Sequence, residues 1–361
     1  MIGCLVGSEM CIRDSARLRA AQYDWDEATL LAALEEGAAA EAVFRLAFPF
    51  GDMHGPRTFH DQALAKLKAA WPDLERRDWI VIAGEDQHGA EWVGCAGHFI
   101  GTFTAPFLDI PPTGHLAHMR VHEFYRIEEG RIVEMQALWD IPEVMMQAGA
   151  WPMVPSLGRE FCIPGPASGD GLFREARDPE RSRASRQLII EMLEYMKRHP
   201  SQGGPEVMEM PRFWHQQMNW YGPAGIGTGR GIEGFRNWHQ IPFLKGMPDR
   251  GGKVDQITYH FFGDNDYAAV TGWPDMIQTI SHDGWLGIPP LGREITMRSL
   301  DFWRVEDGLI RENWVMVDLL DMYDQIGVDV FARMRELTKA RIPGSISYRA
   351  VSYTHLTLPT R

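Results

Sequence analysis

The sequence predicts an α+β fold of two tandem cone-shaped domains, each with helices packed on a strongly curved antiparallel sheet. Residues Ile110–Asp140 align without a gap to Ile288–Asp318, and both copies begin with Ile-Pro-Pro and end in Asp. A repeat of this length indicates a duplicated domain, and 361 residues fit about two domains. In each half, apolar residues at helical spacing come first and residues alternating with period two follow. Helices followed by a run of antiparallel strands are typical of α+β folds.

The first half predicts two helices and then four strands. A helical pattern covers Tyr23–Phe48, with Gly37 as a point where it could break in two, and a second covers Thr58–Trp71. The period then changes to two, a tight turn at Glu128–Gly130 joins the last two strands, and Pro142 opens a short helix. The four strands are predicted at Trp79–Ala83, Trp92–Phe103, Leu116–Ile127 and Arg131–Trp139.

The second half repeats this order. Helices are predicted at Ser185–His199, around Phe213–Trp220, near Ile232–His239 and at Leu319–Leu337. The glycine-rich run Gly225–Gly231 resembles a phosphate-binding loop only superficially, because no strand precedes it and the Lys-Ser/Thr ending is missing. We expect a flexible lid or turn there. The strands are predicted at Val254–Phe262, Tyr267–Thr271, Met276–Ile280, Glu294–Val305 and Leu309–Met316.

Shifts in composition divide the chain into domains, a linker and two tails. Residues Met10–Ser15 and Ala350–His355 can be encoded by inverted copies of the same DNA, which is typical of a sequencing adapter left on both ends of an assembled fragment. We therefore expect non-native tails at both ends and a Pro/Gly-rich linker between the domains. The expected bounds are 1–15 for the first tail, 16–150 for the first domain, 151–182 for the linker, 183–345 for the second domain and 350–361 for the second tail.

Composition limits the partners. The net charge of −13 argues against nucleic acid and anionic membranes, and no apolar run reaches the roughly 20 residues that a membrane helix needs. Outside the tails only Cys95 and Cys162 remain, which suggests neither a disulfide framework nor a zinc knuckle. We expect a cytoplasmic protein without a metal. The thirteen Trp and nineteen Met fill a core or line an apolar pocket.

Both copies carry one motif: Ile-Pro-Pro, a strand, a hairpin, a further strand ending in Asp, and a helix ending in Gln-x-Gly. The hairpins are Arg126–Gly130 and Arg304–Gly308. The pattern resembles the SnoaL-like polyketide cyclase family of the nuclear transport factor 2-like superfamily. The resemblance implies acid–base chemistry without a cofactor on a small apolar ligand inside each cone. It also implies that the two domains pack as an intramolecular pseudo-dimer, with further homo-oligomers left open.

The resemblance also implies a general base. In such cyclases an Asp removes a proton next to a carbonyl, and the enolate closes a ring by aldol addition. The Asp after the last strand is the matching position, which is Asp140 in the first copy and Asp318 in the second. An apolar pocket must raise the pKa of such a carboxyl, and Trp139 and Trp314 could supply it. The alternative role is a helix N-cap, because each Asp directly precedes the closing helix.

Other polar residues share the strands of the repeat. Glu123 and Asp301 stand at equivalent positions among apolar neighbours and are alternative bases, or else partners of a cross-strand Arg. A metal site of three histidines on neighbouring strands is disfavoured by their spacing, so a single pocket His, His98 or His122, is the simpler acid or base. The remaining candidates for chemistry or substrate contact are Arg120, Arg298, Tyr125, Trp303, His118, Trp238, His260 and Asn313.

We expect the second domain to be the catalytic one, because its last strand keeps a polar residue, Asn313, beside Trp314. The expected mechanism is proton abstraction by Asp318, with Asn313, His260 or Arg298 stabilising the oxyanion. The expected function is a cofactor-independent cyclase, isomerase or similar enzyme acting on an apolar, carbonyl-containing small molecule. One alternative is a non-catalytic binding module, whose cone would be dry with every polar group in caps and ion pairs. The other is a hydrolase or dehydratase, which needs a water held between an Asp and a His.

Overall fold

The computed structural model describes residues 15–172 and 176–341. The adapter-derived tails expected at residues 1–15 and 350–361 lie outside the described residues, apart from Ser15. The chain forms two α+β units in tandem, each with a six-stranded sheet and helices packed on it. The predicted fold class is therefore confirmed.

Domain 1 is the unit built on the first sheet. A helix at residues 15–24 (α1) opens it, and α3, a π-helical turn at His60–Leu64 and α4 form one continuous helix. The elements are α2 (Glu27–Gly37), β1 (Ala38–Leu46), β2 (Gly51–His54), α3 (Pro56–Phe59), α4 (Ala65–Ala70), β3 (Glu75–Glu85), β4 (Glu91–Thr102), β5 (Leu116–Glu128), β6 (Arg131–Trp139) and α5 (Ile141–Gln147).

Domain 2 repeats the plan with a broken sheet. Its elements are α6 (Pro179–Met196), α7 (Met210–Phe213), β7 (Trp214–Tyr221), β8 (Gly229–Arg230), α8 (Gly231–Phe235), α9 (Ile241–Gly246), β9 (His260–Asp264), β10 (Tyr267–Thr271), β11 (Met276–Ile280), β12 (Arg293–Met297), β13 (Ser299–Glu306), β14 (Leu309–Val317), α10 (Leu319–Gln325) and α11 (Val330–Thr338). Short 3₁₀ turns lie at Pro205–Met208 and Val254–Gln256, and a π-helical turn at Arg236–Gln240 joins α8 to α9.

The two sheets have the same strand order. It is β2-β1-β6-β5-β4-β3 in domain 1 and β8-β7-β14-β13-β10-β9 in domain 2. All neighbours are antiparallel except β1 with β6 and β7 with β14, which are parallel. In domain 2, β11 and β12 pair separately as a two-stranded sheet.

Two predicted helices are wrong in the same way. The segments Ala38–Leu46 and Trp214–Tyr221, expected to be helical, are the strands β1 and β7. The run Ala38–Leu46 is rich in Ala, a strong helix former, but pairing with the closing strand of each sheet overrides this local preference.

Further differences concern the second half. The strand expected at Glu294–Val305 is interrupted at Arg298, whose carbonyl accepts the Asp318 N–H. The strand expected at Val254–Phe262 begins only at His260. The expected lid Gly225–Gly231 is instead largely buried: Gly227, at φ +82°, packs so closely on the linker backbone that a side chain there would collide with Gly158.

Strand alternation gives each sheet two different faces. One face packs on the helices of its own domain and encloses an interior, which we call the cone of that domain. The opposite faces of the two sheets pack against each other, for example at Phe124 and Phe302, whose rings lie 4.9 Å apart. The apolar interdomain cluster also includes Ile80, Ile82, Trp92, Leu138, Phe262, Leu300, Trp314 and Met316. The two repeats thus form an intramolecular pair, sheet against sheet.

Candidate functional site

The cone of domain 2 holds two adjoining chambers. The inner chamber, of about 670 Å³, is walled mainly by aromatic and Met side chains. The outer chamber, of about 800 Å³, is lined mainly by half-buried side chains, among them Lys197 and Lys253. Both volumes include some space open to solvent, and both fall in the range of about 300–1,000 Å³ for small-molecule sites. The residues that line both chambers are Leu193, Arg250, Met276, Ser299, Asp301 and Trp303.

Two features of the sequence form this cavity: side chains that alternate between the two faces of β13, and a segment before β9 that does not form a strand. Along β13, Leu300 and Phe302 face the other domain, so Asp301 and Trp303 face the cone. Residues 247–259 contribute loops and a 3₁₀ turn instead of a strand. The corresponding part of domain 1 is the long strand β3, and the sheet of domain 2 is shortened there beside the outer chamber.

Asp301 is the carboxyl where the chambers meet. Ser299 Oγ donates a hydrogen bond to Asp301 Oδ1 at 2.7 Å. Burial raises the pKa of Asp301 to about 7, although the Ser299 hydrogen bond and the charge of Arg250 act in the opposite direction. A carboxyl with a pKa near neutrality can accept and return a proton at physiological pH.

Asp275 and Arg250 complete the polar group, and sequence reasoning missed both. Burial raises the pKa of Asp275 well above its ordinary value, and the charge of Asp301 adds to this effect. Asp275 Oδ1 is buried without a hydrogen-bond partner among the described residues. Asp275 lies in a Trp-Pro-Asp turn and Arg250 in an Asp-Arg-Gly-Gly turn, patterns that predict solvent-exposed loops. Neither has a recognisable counterpart in the first repeat.

The inner chamber carries polar atoms that the described protein leaves unpaired. Five of its lining residues have a buried polar atom without a hydrogen-bond partner: Trp214 Nε1, His239 Nδ1, Gln240 Oε1, Trp285 Nε1 and Trp303 Nε1. Buried polar groups in proteins are normally paired, so such a group points to water or a ligand in the chamber. His239 stacks on Trp220 at 4.1 Å, and burial lowers its pKa to about 3, which makes the ring a neutral wall of the chamber.

In the cone of domain 1 the polar groups bind one another. Glu123, the counterpart of Asp301, forms a buried ion pair with Arg76 and a hydrogen bond with the Tyr125 hydroxyl. Trp139 Nε1 donates to the other Glu123 oxygen at 3.1 Å, and Arg76 also donates to Gln22 of α1 at 2.7 Å. Here the structure has the ion-pair alternative that the sequence left open for Glu123.

Asp140 and Asp318 lie at the domain interface and act as helix caps. Asp140 Oδ2 accepts the backbone N–H of Ala224 at 2.9 Å, and Asp318 Oδ2 accepts that of Phe48 at 3.0 Å. The second oxygen of each accepts the N–H three residues on, at 3.3 and 3.2 Å. Phe48 and Ala224 follow β1 and β7 at equivalent positions, so the two contacts are related by the pseudo-twofold symmetry. Burial raises the pKa of Asp140 and raises that of Asp318 to about 6. The geometry is that of the capping alternative.

Several other predicted residues also belong to the interface. Arg120 is fully buried and donates to the carbonyls of Tyr221, Gly222 and Val315 in domain 2. His122 Nδ1 lies 2.7 Å from the Leu300 carbonyl oxygen. Trp314 stacks in the interdomain cluster and donates to the Pro164 carbonyl at 3.0 Å. His260 Nδ1 lies 2.6 Å from a carboxylate oxygen of Asp86. Arg298 binds Asp318 at 3.2 Å.

The last predicted residues are dispersed. His98 and His118 stack at 5.6 Å on the sheet face that also carries Arg120 and His122, where burial lowers the pKa of both, that of His98 to about 3. Trp238 is 53% exposed and lines neither chamber. Asn313 does line the inner chamber, but its amide donates to the Phe302 carbonyl at 2.9 Å. Of the predicted set, the domain 2 cavity therefore collects Asp301, Trp303 and Asn313.

The described residues contain neither a candidate metal site nor a membrane-spanning helix. No group of three or more His, Cys, Asp or Glu within residues 15–172 and 176–341 is arranged to hold a metal ion. None of the helices in the same ranges is long and apolar enough to cross a membrane.

The fold and the cavity define a class: a tandem α+β cone protein with carboxyl groups at a cavity in one cone. The model of the SnoaL-like polyketide cyclase family matches residues 17–148 and 206–326. The chain therefore belongs to the SnoaL-like polyketide cyclase family and contains the family domain twice.

Solved structures similar to this chain match a single repeat. IdmH, a proposed polyketide cyclase from Streptomyces antibioticus, is 25% identical, with 38% of this chain and 98% of that chain covered and a TM-score of 0.33. TsrD from Streptomyces laurentii is 18% identical, with 39% and 96% covered and a TM-score of 0.33. An NTF2-like protein from Burkholderia thailandensis is 20% identical, with 38% and 96% covered and a TM-score of 0.30. No curated protein matches the sequence.

Proposed function

We propose that the domain 2 cavity removes a proton from carbon next to a carbonyl, with Asp301 as the general base and without a cofactor. The observation that carries the proposal is the position of Asp301 where two apolar chambers meet, hydrogen-bonded to Ser299 and buried so that its pKa is about 7. A base is most effective when its pKa lies near the working pH. Asp318 as the base stays a prediction, and its two occupied oxygens favour a capping role.

The proposed mechanism pairs the base with an acid. The ionised Asp301 takes the α-proton, and the electron pair of the broken C–H bond moves to the carbonyl oxygen. Burial and the charge of Asp301 raise the pKa of Asp275 well above its ordinary value. This favours the protonated form, whose O–H can donate a hydrogen bond to the developing enolate oxygen. The enolate then adds to a second carbonyl of the same molecule, and the alkoxide so formed takes the proton from Asp301, which completes a cyclisation. If the ketone is unsaturated, the dienolate can instead take the proton from Asp301 at its γ-carbon, which is an isomerisation.

The alternatives fit the molecule less well. A non-catalytic binding module was expected to have its polar groups in caps and ion pairs. The cone of domain 1 comes nearer to this description than that of domain 2, because Arg76 binds Glu123 there, although Arg76 Nη2 is buried without a partner among the described residues. In domain 2 several buried polar atoms lack partners among the described residues. A hydrolase or dehydratase needs a water held between an Asp and a His, but the His that lines this cavity, His239, is stacked between Trp220 and Phe243 as part of the wall. Domain 1 is therefore proposed as the structural half of a pseudo-dimer.

The test is exchange of α-protons in an apolar ketone. The full chain is incubated with 2-tetralone in D₂O, and loss of the α-proton signal is followed by NMR against buffer alone. The wild type should accelerate exchange, and Asp301→Asn should lose most of this acceleration while keeping its fold. Asp307→Asn, at an exposed hairpin position of the same domain, should behave as the wild type. Equal exchange by the wild type and by Asp301→Asn would rule out Asp301 as the base.

A further inference from the structure

Arg250 is a cavity cation that the proposed acid–base mechanism does not use. It lines both chambers. Within the described ranges its guanidinium has no hydrogen bond and no salt bridge within 4.0 Å. Its electrostatic neighbours are Asp275, Asp301 and Tyr259. Arg250 is half-buried, and burial lowers the pKa of its guanidinium, so a bound anion would stabilise its charge.

A carboxylate and an arginine face the cone in both domains, but they form an ion pair only in domain 1. In domain 1, Arg76 lies in contact with Glu123, and both side chains are 1% exposed. In domain 2, Asp301 takes the place of Glu123 with a shorter side chain, and the cation comes from the loop that carries Arg250. The distance between Arg250 and Asp301 exceeds that of an ion pair, so the space between them can admit a ligand group.

The two lysines at the outer chamber do not replace Arg250 as anion binders. Lys197 is already paired with Glu194, and Lys253 with Glu294. Arg250 is thus the cavity cation that keeps its hydrogen-bond donors for a ligand. Its planar guanidinium matches a carboxylate with two parallel hydrogen bonds.

We propose that the substrate is an aromatic keto acid: its carboxylate binds Arg250, its carbonyl lies at Asp301 and Asp275, and its ring lies in the inner chamber. The inner chamber suits a flat ring because Trp214, Trp220, Trp285 and Trp303 line it. This inference rests on the proposed function for the position of the carbonyl. The anion site itself depends only on Arg250 and the chambers.

The test compares two probes of the same shape that differ in charge. Binding of 1-naphthaleneacetate and of the neutral 1-naphthaleneacetamide to the full chain is measured by calorimetry. The acid should bind the wild type on the order of tenfold more tightly, the range expected for hydrogen bonds to a charged group. Arg250→Gln should bind both probes equally. Arg293→Gln, which changes an exposed arginine of the same domain, should keep the preference for the acid.

Three results would overturn the anion site. They are equal affinities of the wild type for acid and amide, no binding of either at millimolar concentration, and a preference that survives in Arg250→Gln. The wild-type comparison decides the matter even where Arg250→Gln fails to fold. Asp301→Asn separates this inference from the proposed function: it should bind the acid at least as tightly as the wild type and yet not exchange α-protons. Exchange that persists in Asp301→Asn contradicts the base and leaves the anion site standing.

Discussion

Replacing Arg76 by Met should destabilise the protein strongly, because it leaves the Glu123 carboxylate buried in domain 1 without its cation. Both side chains are 1% exposed, and removing one partner of a buried ion pair costs about 3–5 kcal/mol. Tyr125 and Trp139 still donate hydrogen bonds to Glu123, so the lower half of this range is expected. The free energy of unfolding is measured by urea titration at neutral pH with tryptophan fluorescence.

The adjacent arginine provides a matched control. Arg77 also pairs with a carboxylate, Glu75, but the two side chains are 57% and 40% exposed, and exposed pairs are worth about 0–1 kcal/mol. The double variant Arg76→Met/Glu123→Gln should be about 1–3 kcal/mol more stable than the sum of the single changes, as coupled neighbours show. If Arg76→Met costs no more than Arg77→Met, or if the double variant is additive, then the ion pair of Arg76 with Glu123 does not stabilise domain 1.

Three further outcomes are expected together. The rate of α-proton exchange should rise with pH and level off above an inflection near 7, the pKa of Asp301, because the ionised carboxylate is the base; a flat profile would contradict this. Asp140→Ala and Asp318→Ala should each cost about 2–4 kcal/mol of stability, from one cap and one charge-assisted hydrogen bond, without slowing exchange per folded molecule. Since burial raises the pKa of Asp318 from 3.8 to about 6, the unfolded chain loses this proton at lower pH. Between pH 4 and 8 the free energy of unfolding of the wild type should therefore fall by up to about 3 kcal/mol relative to that of Asp318→Asn. Urea unfolding of both proteins across this range measures the difference, and a difference that does not change with pH would contradict the expectation.

The repeat made the architecture predictable. Local sequence patterns correctly predicted three features of each repeat: the hairpin at Gly130 or Gly308, the two strands beside it, and the Asp that precedes the closing helix. The strands β1 and β7 did not follow, because an Ala-rich run and a Met/Trp run have no strand pattern of their own. They become strands only by pairing with the closing strand of the sheet, which is a contact between residues far apart in sequence.

The site was predictable only in part. Strand alternation correctly separates Asp301 from Leu300 and Phe302, but alternation alone does not say which face is the cone and which is the interface. The interface face carries Arg120 and His122, whose polar atoms bind carbonyls of domain 2, and Trp314, which donates to the linker carbonyl of Pro164. Asp275 and Arg250 lie in irregular turns. They reach the cavity because a strand of the domain 2 sheet is shortened there, and the first repeat has no such shortened strand.

The central claim is that the domain 2 cavity, through Asp301, carries the chemistry. It is tested most directly by one exchange experiment on three folded variants, Asp301→Asn, Asp318→Asn and Glu123→Gln, each measured with 2-tetralone in D₂O beside the wild type. The account predicts that Asp301→Asn loses the acceleration and that the other two keep it. Loss of exchange in Asp318→Asn, with exchange intact in Asp301→Asn, would place the base at the domain interface and contradict the account.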